Sequence, residues 1–329
     1  MSDTDRIVDA LRVFQSEDAL AAFSVDAETD PVPKIWLNWV GSLRYDLQKF
    51  IDDHQNVYEI ESTENRERYF FLNDELRPGS GLIRVFGGKS QGPGGTVTCL
   101  LTSEDGEDNY LVAAGHVLTD FWRDLDGHGS IYRYRKGFPS TGSSRFLGKA
   151  LYYPEPWPKA IPKGVKPSKE SPRFILDVGV VKLEVDPEVV DLKQRTTCFG
   201  GFGETCITTA VRKRVMKCGS QEVYWTEAKI SKLNAEVTIL GPDGSQYLFK
   251  DQIILRDLRN PSKFKYPTNP KGTPFAVPGD SGTIVVDEAT RQPIGMLIAG
   301  SVLDGRYVVT PFEKIEEFFT KLGLIRMRA

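Results

Sequence analysis

From Leu82 onward the chain is cut into short apolar runs rich in Val, Ile and Leu, each bounded by Gly, Pro, Asp or Asn. The runs fall at 82–86, 95–102, 109–114, 145–153, 174–184, 221–230, 234–240, 246–255, 282–287, 293–300 and 305–310. Many short strands with turn signals between them predict a mainly β protein of the antiparallel sandwich or barrel kind. At 329 residues the chain exceeds one average domain. Residues 186–194 read as a link between two halves, and the Pro/Lys-rich stretch 154–172 as a long surface loop.

The two ends have a different texture. Asp3 or Thr4 can cap a helix in which Ile7, Val8, Leu11 and Phe14 recur at helical spacing. Ser16-Glu17-Asp18 is expected to restart a short helix through Phe23, and Asp30-Pro31-Val32-Pro33 breaks the pattern. Ile35, Trp36, Trp39, Val40, Leu43, Leu47, Phe50 and Ile51 then predict a longer amphipathic helix, so Trp36, Trp39, Tyr45 and Phe50 read as helix packing. Near the other end Ile315, Phe318, Phe319 and Leu322 share one face of a closing helix. The expected division is a helical N-terminal extension (1–79), a first β unit (80–190), and a second β unit with the C-terminal helix (191–329).

Composition narrows the function. Net charge is −3, so no global field calls for nucleic acid or an anionic membrane. The basic clusters at Arg212-Lys213-Arg214 and across 159–169 read as solvated surface. No run of 18 apolar residues is present, and the N-terminus lacks the basic start and apolar core of a secretory signal. The four cysteines (Cys99, Cys198, Cys206, Cys218) form no C-x-x-C pair, and the three histidines are scattered. Reduced thiols, no metal, no cofactor and an intracellular, cytoplasmic location are the expectations.

Three segments carry chemistry. Leu111-Val112-Ala113-Ala114-Gly115-His116-Val117 puts a histidine at the end of a strand-like run. Ile175-Leu176-Asp177-Val178-Gly179-Val180-Val181 carries an acid within an apolar run, where an ionised group needs partners. Pro278-Gly279-Asp280-Ser281-Gly282 puts a serine at a tight bend before the apolar run Thr283-Ile284-Val285-Val286. A serine hydroxyl is a weak nucleophile. It needs a base within hydrogen-bond reach, and the base needs an orienting partner. His116 suits the base and Asp177 the orienter. Asp120, Asp124 and Asp126 lie closer in sequence to His116, but an acid held on a strand is better placed than one on a loop. His54 and His128 read as surface residues.

These segments resemble the signature segments of chymotrypsin/trypsin-like serine peptidases: Ala113-Ala114-Gly115-His116, Asp177-Val178-Gly179-Val180-Val181-Lys182-Leu183 and Gly279-Asp280-Ser281-Gly282. Gly94-Gly95-Thr96-Val97, Val215-Met216-Lys217-Cys218-Gly219 and Ile294-Gly295-Met296-Leu297-Ile298-Ala299-Gly300-Ser301 resemble three further strands of that family. The resemblance covers roughly 82–322 and implies two six-stranded antiparallel β-barrels with the site between them. It implies Ser281 as nucleophile, His116 as general base then acid, Asp177 as orienter, and the N–H groups of Gly279 and Ser281 as oxyanion hole. The expected activity is serine endopeptidase hydrolysis of proteins or peptides, rising toward neutral and mildly alkaline pH as the imidazole loses its proton.

The departures shape further expectations. The family's cysteine after the histidine is Val117, in keeping with a disulfide-poor variant, and the second glycine after the serine is Thr283. The substrate pocket would be formed by Phe275 and Ala276 at its floor and Ile298-Ala299-Gly300 along its wall. With no acid at the floor, small or medium apolar side chains are expected in preference to Lys or Arg. In secreted members the residue matching Asp280 pairs with an N-terminal amine released by cleavage. Residues 1–79 are accordingly either a removable pro-segment or a permanent extension that braces the barrels, docks a regulatory partner or gates the cleft through a contact with the chain itself. Two other functions stay open: a protease-derived binding or scaffold module, and a protease latent until a partner binds.

Overall fold

The computed structural model describes residues 3–17, 19–26, 33–65, 69–71, 74–75, 82–86, 89–90, 93–118, 130–133, 145–152, 160–184, 211–217, 226–258, 274–290 and 292–326. The N-terminal part runs α1 (Asp3–Ser16), β1 (Ala22–Asp26), β2 (Lys34–Val40), α2 (Tyr45–His54), β3 (Glu59–Asn65), β4 (Tyr69–Phe71) and β5 (Asp74–Glu75). Next come β6 (Leu82–Phe86), β7 (Lys89–Ser90), β8 (Pro93–Gly94), β9 (Val97–Ser103), β10 (Asn109–Ala114), the single turn α3 (Gly115–Leu118), β11 (Ser130–Arg133), β12 (Arg145–Tyr152) and β13 (Val178–Leu183). The rest is β14 (Arg214–Lys217), β15 (Thr226–Leu240), β16 (Gln246–Asp257), β17 (Ile284–Asp287), β18 (Pro293–Ser301), β19 (Arg306–Pro311), α4 (Phe312–Lys321) and β20 (Leu324–Arg326).

The protein is mainly β, with two curled sheets and helices near both ends. One sheet runs β20-β9-β10-β13-β12-β11-β6-β7, so six contiguous strands are extended by β20 on one side and β7 on the other. The other runs β14-β17-β18-β19-β16-β15-β1-β2-β3, and pairing of β14 with β15 closes its first six strands into a ring. Apart from the parallel pairs β2–β3 and β4–β15, the neighbouring strands of these two sheets are antiparallel. Inside the ring Val215, Ala228, Leu255, Phe275, Val285 and Tyr307 form a core. A second core joins the sheets, with Val112, Ala114 and Val180 from one and Met296 and Ile298 from the other. The strand runs read from the sequence agree with these elements, except that 226–230 and 234–240 are parts of the one strand β15; 221–225 lie outside the described residues.

The N-terminal extension differs from its expectation. The segment around 35–51 is not one helix: β2 occupies Lys34–Val40 and α2 begins at Tyr45, with Gly41 at φ +82 between them. Ile35, Trp36, Leu37 and Asn38 are all buried, so both faces of β2 are covered and the period-two signal of a half-exposed strand disappears. The short helix expected through Phe23 is replaced by β1, which pairs with both β2 and β15. Ile7, Leu11, Leu20, Phe23, Leu37, Leu47 and Phe50 make a third core under these elements. Glu236 on β15 ties α1 to the ring: its carboxylate accepts from Arg12 and, at 2.7 Å, from Arg173 Nε. Residues 3–65 thus add three strands and a clamped helix to the second sheet.

Cys99 is buried; Cys198, Cys206 and Cys218 lie outside the described residues. Among the described residues no helix is long and apolar enough to cross a membrane.

Candidate active site

His116 and Asp177 meet because β10 and β13 are antiparallel neighbours. Ala114 lies opposite Val178, so the residue that follows β10 faces the residue that precedes β13. The Gly115 N–H donates to the Asp177 carbonyl at 3.1 Å. The His116 N–H donates to Asp177 Oδ1 at 2.9 Å, and Oδ2 is hydrogen-bonded to His116 Nδ1. Both side chains are fully buried. One carboxylate therefore grips both the backbone and the ring of the same histidine, which fixes ring orientation and leaves Nε2 as the nitrogen on the far side. Asp177 stands immediately before β13, and His116 sits in the turn α3, two residues past the end of β10.

Ser281 comes from the other sheet. The loop from Val277 to Thr283 is held from within: Asp280 N–H donates to Val277 O at 3.1 Å and Thr283 N–H to Asp280 O at 2.9 Å. Its end enters the ladder of the ring, with Gly282 N–H on Leu297 O at 2.8 Å and Leu297 N–H on Thr283 O at 2.9 Å. Thr283, the departure after the serine's glycine, thus begins the pairing of β17 with β18. Gly279 and Gly282 have φ of +96 and +93, which side chains with a Cβ resist. At Gly282 a Cβ would also lie 2.2 Å from the Thr96 carbonyl oxygen and 3.3 Å from Ala114 N. This close approach sets the serine's loop against the end of β10, two residues from His116.

The first sheet reaches across to grip that loop. Thr96 N–H donates to Ser281 O at 2.8 Å, Thr96 Oγ1 to Gly279 O at 3.0 Å, and the buried Thr98 Oγ1 to Gly282 O at 2.6 Å. With the carbonyls so fixed, the peptide planes are fixed too. Among the described residues, neither the Gly279 nor the Ser281 N–H donates to a protein acceptor. The Ser281 hydroxyl donates to Ile298 O at 3.2 Å and not to His116. Ser281 is fully buried.

Asp280 turns inward, away from the serine's partners. Its Oδ2 accepts from Lys217 Nζ at 2.8 Å and from Val277 N–H at 2.9 Å. Lys217 and Asp280 are both fully buried. The ammonium also lies 5.5 Å from the centroid of the Phe275 ring. A buried ion pair is marginal in net stability, but either partner alone would be an uncompensated buried charge. Lys217 therefore constrains the carboxylate and, through it, the backbone on both sides of Gly279. In the sequence Lys217 reads only as part of a strand. The available signal was a lysine inside the apolar run Val215-Met216, which demands an acidic partner.

The residues expected to form the pocket are divided. Phe275 and Ala276 are packed in the ring's core, the Phe275 ring 5.3 Å from that of Tyr307 between centroids. The Phe275 carbonyl accepts from Thr226 Oγ1 at 2.7 Å. Ile298, Ala299 and Gly300 lie on β18, beside the serine. Asp120, Asp124, Asp126 and His128 lie outside the described residues. His54 ends α2, its Nδ1 2.8 Å from Phe50 O and its ring stacked on Phe50, far from this chemistry in sequence and in element.

No protein-family model and no curated protein matches the chain. Solved structures of chymotrypsin-like serine proteases are similar to it at low identity. Chymotrypsin from Cellulomonas bogoriensis is 17% identical with a TM-score of 0.38, over 77% of this chain and 99% of that one. Protease A from Thermobifida fusca is 15% identical with a TM-score of 0.38, over 77% and 99%. The structure of Deg5 is 11% identical with a TM-score of 0.33, over 98% of each chain.

Proposed function

We propose that the protein is a serine endopeptidase working through an acyl-enzyme. The observation that carries this reading is the doubly bonded His116–Asp177 pair standing beside a serine loop whose carbonyls are clamped by Thr96 and Thr98. A buried acid–base pair and a serine on a glycine-framed turn are three complementary chemical roles that packing alone does not require.

In the reaction the Ser281 hydroxyl turns from Ile298 O toward His116 Nε2, which takes its proton as the oxygen attacks the scissile carbonyl. Asp177 holds the ring and stabilises the imidazolium. The N–H groups of Gly279 and Ser281 meet the developing oxyanion, each such donor being worth about 3–4 kcal/mol. The imidazolium then protonates the departing amine. A water repeats the sequence on the acyl-enzyme and frees Ser281. Phe275, Ala276 and Ile298-Ala299-Gly300 include no acid, and their apolar side chains favour small or medium apolar side chains at the cleavage position, which profiling with a peptide library tests: dominance of Lys or Arg contradicts it.

The direct test is turnover of a denatured protein and of peptide esters. Ser281→Ala and His116→Ala are each expected to lower kcat by at least ~10⁴-fold with the fold retained. Wild-type hydrolysis by Ser281→Ala overturns the proposal. Absent labelling of the purified protein by a fluorophosphonate favours instead a binding module built on the same fold.

A further inference from the structure

Strand β18 has two edges. β19 occupies one of them along Gly295 to Ser301. β17 occupies the other only from Pro293 to Met296, and the last bonds on that side are those between Leu297 and the Gly282–Thr283 backbone. Past this point, the same edge at Ala299 and Gly300 would be open. It begins directly beside the nucleophile, because the next carbonyl, Ile298 O, is the one that holds Ser281 Oγ. An extended peptide whose carbonyl is to reach Ser281 has its natural backbone partner here, by adding a strand to an exposed edge.

The chain itself fills that edge. β4 lies antiparallel to β18, with Phe70 opposite Gly300 and Phe71 opposite Ala299. On its other side β4 runs parallel to the end of β15, Tyr69 opposite Ile239 and Phe70 opposite Leu240. Tyr69 is fully buried. β4 thus runs toward the position opposite Ile298 and ends one register step short of it. The burial of the site agrees with a covered cleft. Ser281, His116 and Asp177 all have no solvent exposure, whereas a nucleophile that acts on polypeptides must be reached by one.

We infer that β4 is an autoinhibitory strap: it occupies the edge of β18 on which a peptide substrate must pair, and must leave before a polypeptide is cleaved. This rests on the proposed peptidase function and adds its control. The strap is held by short backbone pairing on both sides and by the buried Tyr69, and its departure leaves the ring closed, since that closure runs through β14 and β15. A protein or peptide that adds to the β18 edge competes with it directly.

The test uses the full chain and two covalent probes. A small alkyl fluorophosphonate needs no strand pairing. A tripeptidyl phosphonate ester with an apolar terminal residue must pair along Ala299–Gly300. Phe71→Pro removes a backbone N–H from β4 and disfavours the strand. The expected result is that the small probe labels Ser281 in wild type and Phe71→Pro at similar rates, while the peptidyl probe labels Phe71→Pro roughly tenfold or more faster than wild type, the scale of losing a few backbone hydrogen bonds. Equal rates of the peptidyl probe in both proteins, with Ser281 labelled by the small probe, overturn the strap and leave the peptidase reading standing. No labelling of either protein by either probe overturns both. Should Phe71→Pro fail to fold, hydrogen exchange on the wild-type chain decides. Amides of 69–71 are expected to exchange faster once the peptidyl phosphonate is attached, and unchanged protection overturns the inference.

Discussion

The two sides of the cleft hold their functional groups by different means. On the first sheet, His116 and Asp177 are placed by strand register: adjacent antiparallel strands end at the same level, and two hydrogen bonds finish the job. On the second, Ser281 sits on a loop that no register determines. Its shape depends on a buried ion pair from β14, on two positive-φ glycines, and on Thr96 and Thr98 reaching over from the opposite sheet. The placement of the His116–Asp177 pair is therefore local and that of Ser281 is cooperative. Damage to the first should fall on chemistry, and damage to the second on chemistry and fold together.

The sharpest way to separate them begins with Asp177→Asn. The amide keeps the shape but presents the wrong partner to Nδ1, and kcat is expected to fall about 10⁴-fold. Calorimetry on the same variant should show a much smaller loss in stability than Lys217→Met shows. Lys217→Met strands Asp280 as a buried charge. It is expected to cost about 3–5 kcal/mol of unfolding free energy by denaturant titration. It should also lower kcat by roughly 10²–10³-fold as the Gly279 N–H loses its aim. Adding Asp280→Asn to Lys217→Met should restore much of the stability and little of the rate. If Lys217→Met is as stable as wild type, the contrast between the two sides fails.

The smallest expected effect lies on the ring away from the cleft. Burial, helped by the nearby Glu288 and opposed by Arg214, pushes the Glu227 carboxyl up to about 7 from an ordinary 4.5. The folded state thus favours the protonated form more than the unfolded chain does. Its contribution is complete below the unfolded value and is lost as pH rises through about 7. Glu227→Gln should leave Tm unchanged at pH 4 and raise it by a few degrees at pH 8, with kcat unaltered at both. An equal shift at both values contradicts this account of the ring.

Much of this was legible in the sequence because it is written in local patterns. Strands β9, β10, β12, β13 and β15 to β19 contain apolar runs set off by turn residues, and His116, Asp177 and Ser281 each stand in or near the margin of such a run. What stayed hidden depends on partners. β2 is covered on both faces, so its apolar residues mimic helical spacing, and its true signal was the β-branched and aromatic content of Ile35-Trp36-Leu37-Asn38-Trp39-Val40. The bond from Asn38 Nδ2 to Thr63 O, 3.1 Å across the parallel pairing with β3, has no sequence pattern at all. Lys217 was visible as an anomaly but not as a pair, since Asp280 lies 63 residues away. β4 is three residues long, too short for any period, and its role follows only from which edge of β18 remains open.

The central claim is that His116, Asp177 and Ser281 act as one nucleophilic unit. Its most direct measurement is mass mapping of the residue modified by an alkyl fluorophosphonate in the full-length protein and in Asp177→Asn and His116→Ala. The account predicts a single adduct on Ser281, formed far more slowly in both variants. An adduct on another residue, or equal labelling of Ser281 when His116 is gone, would contradict it.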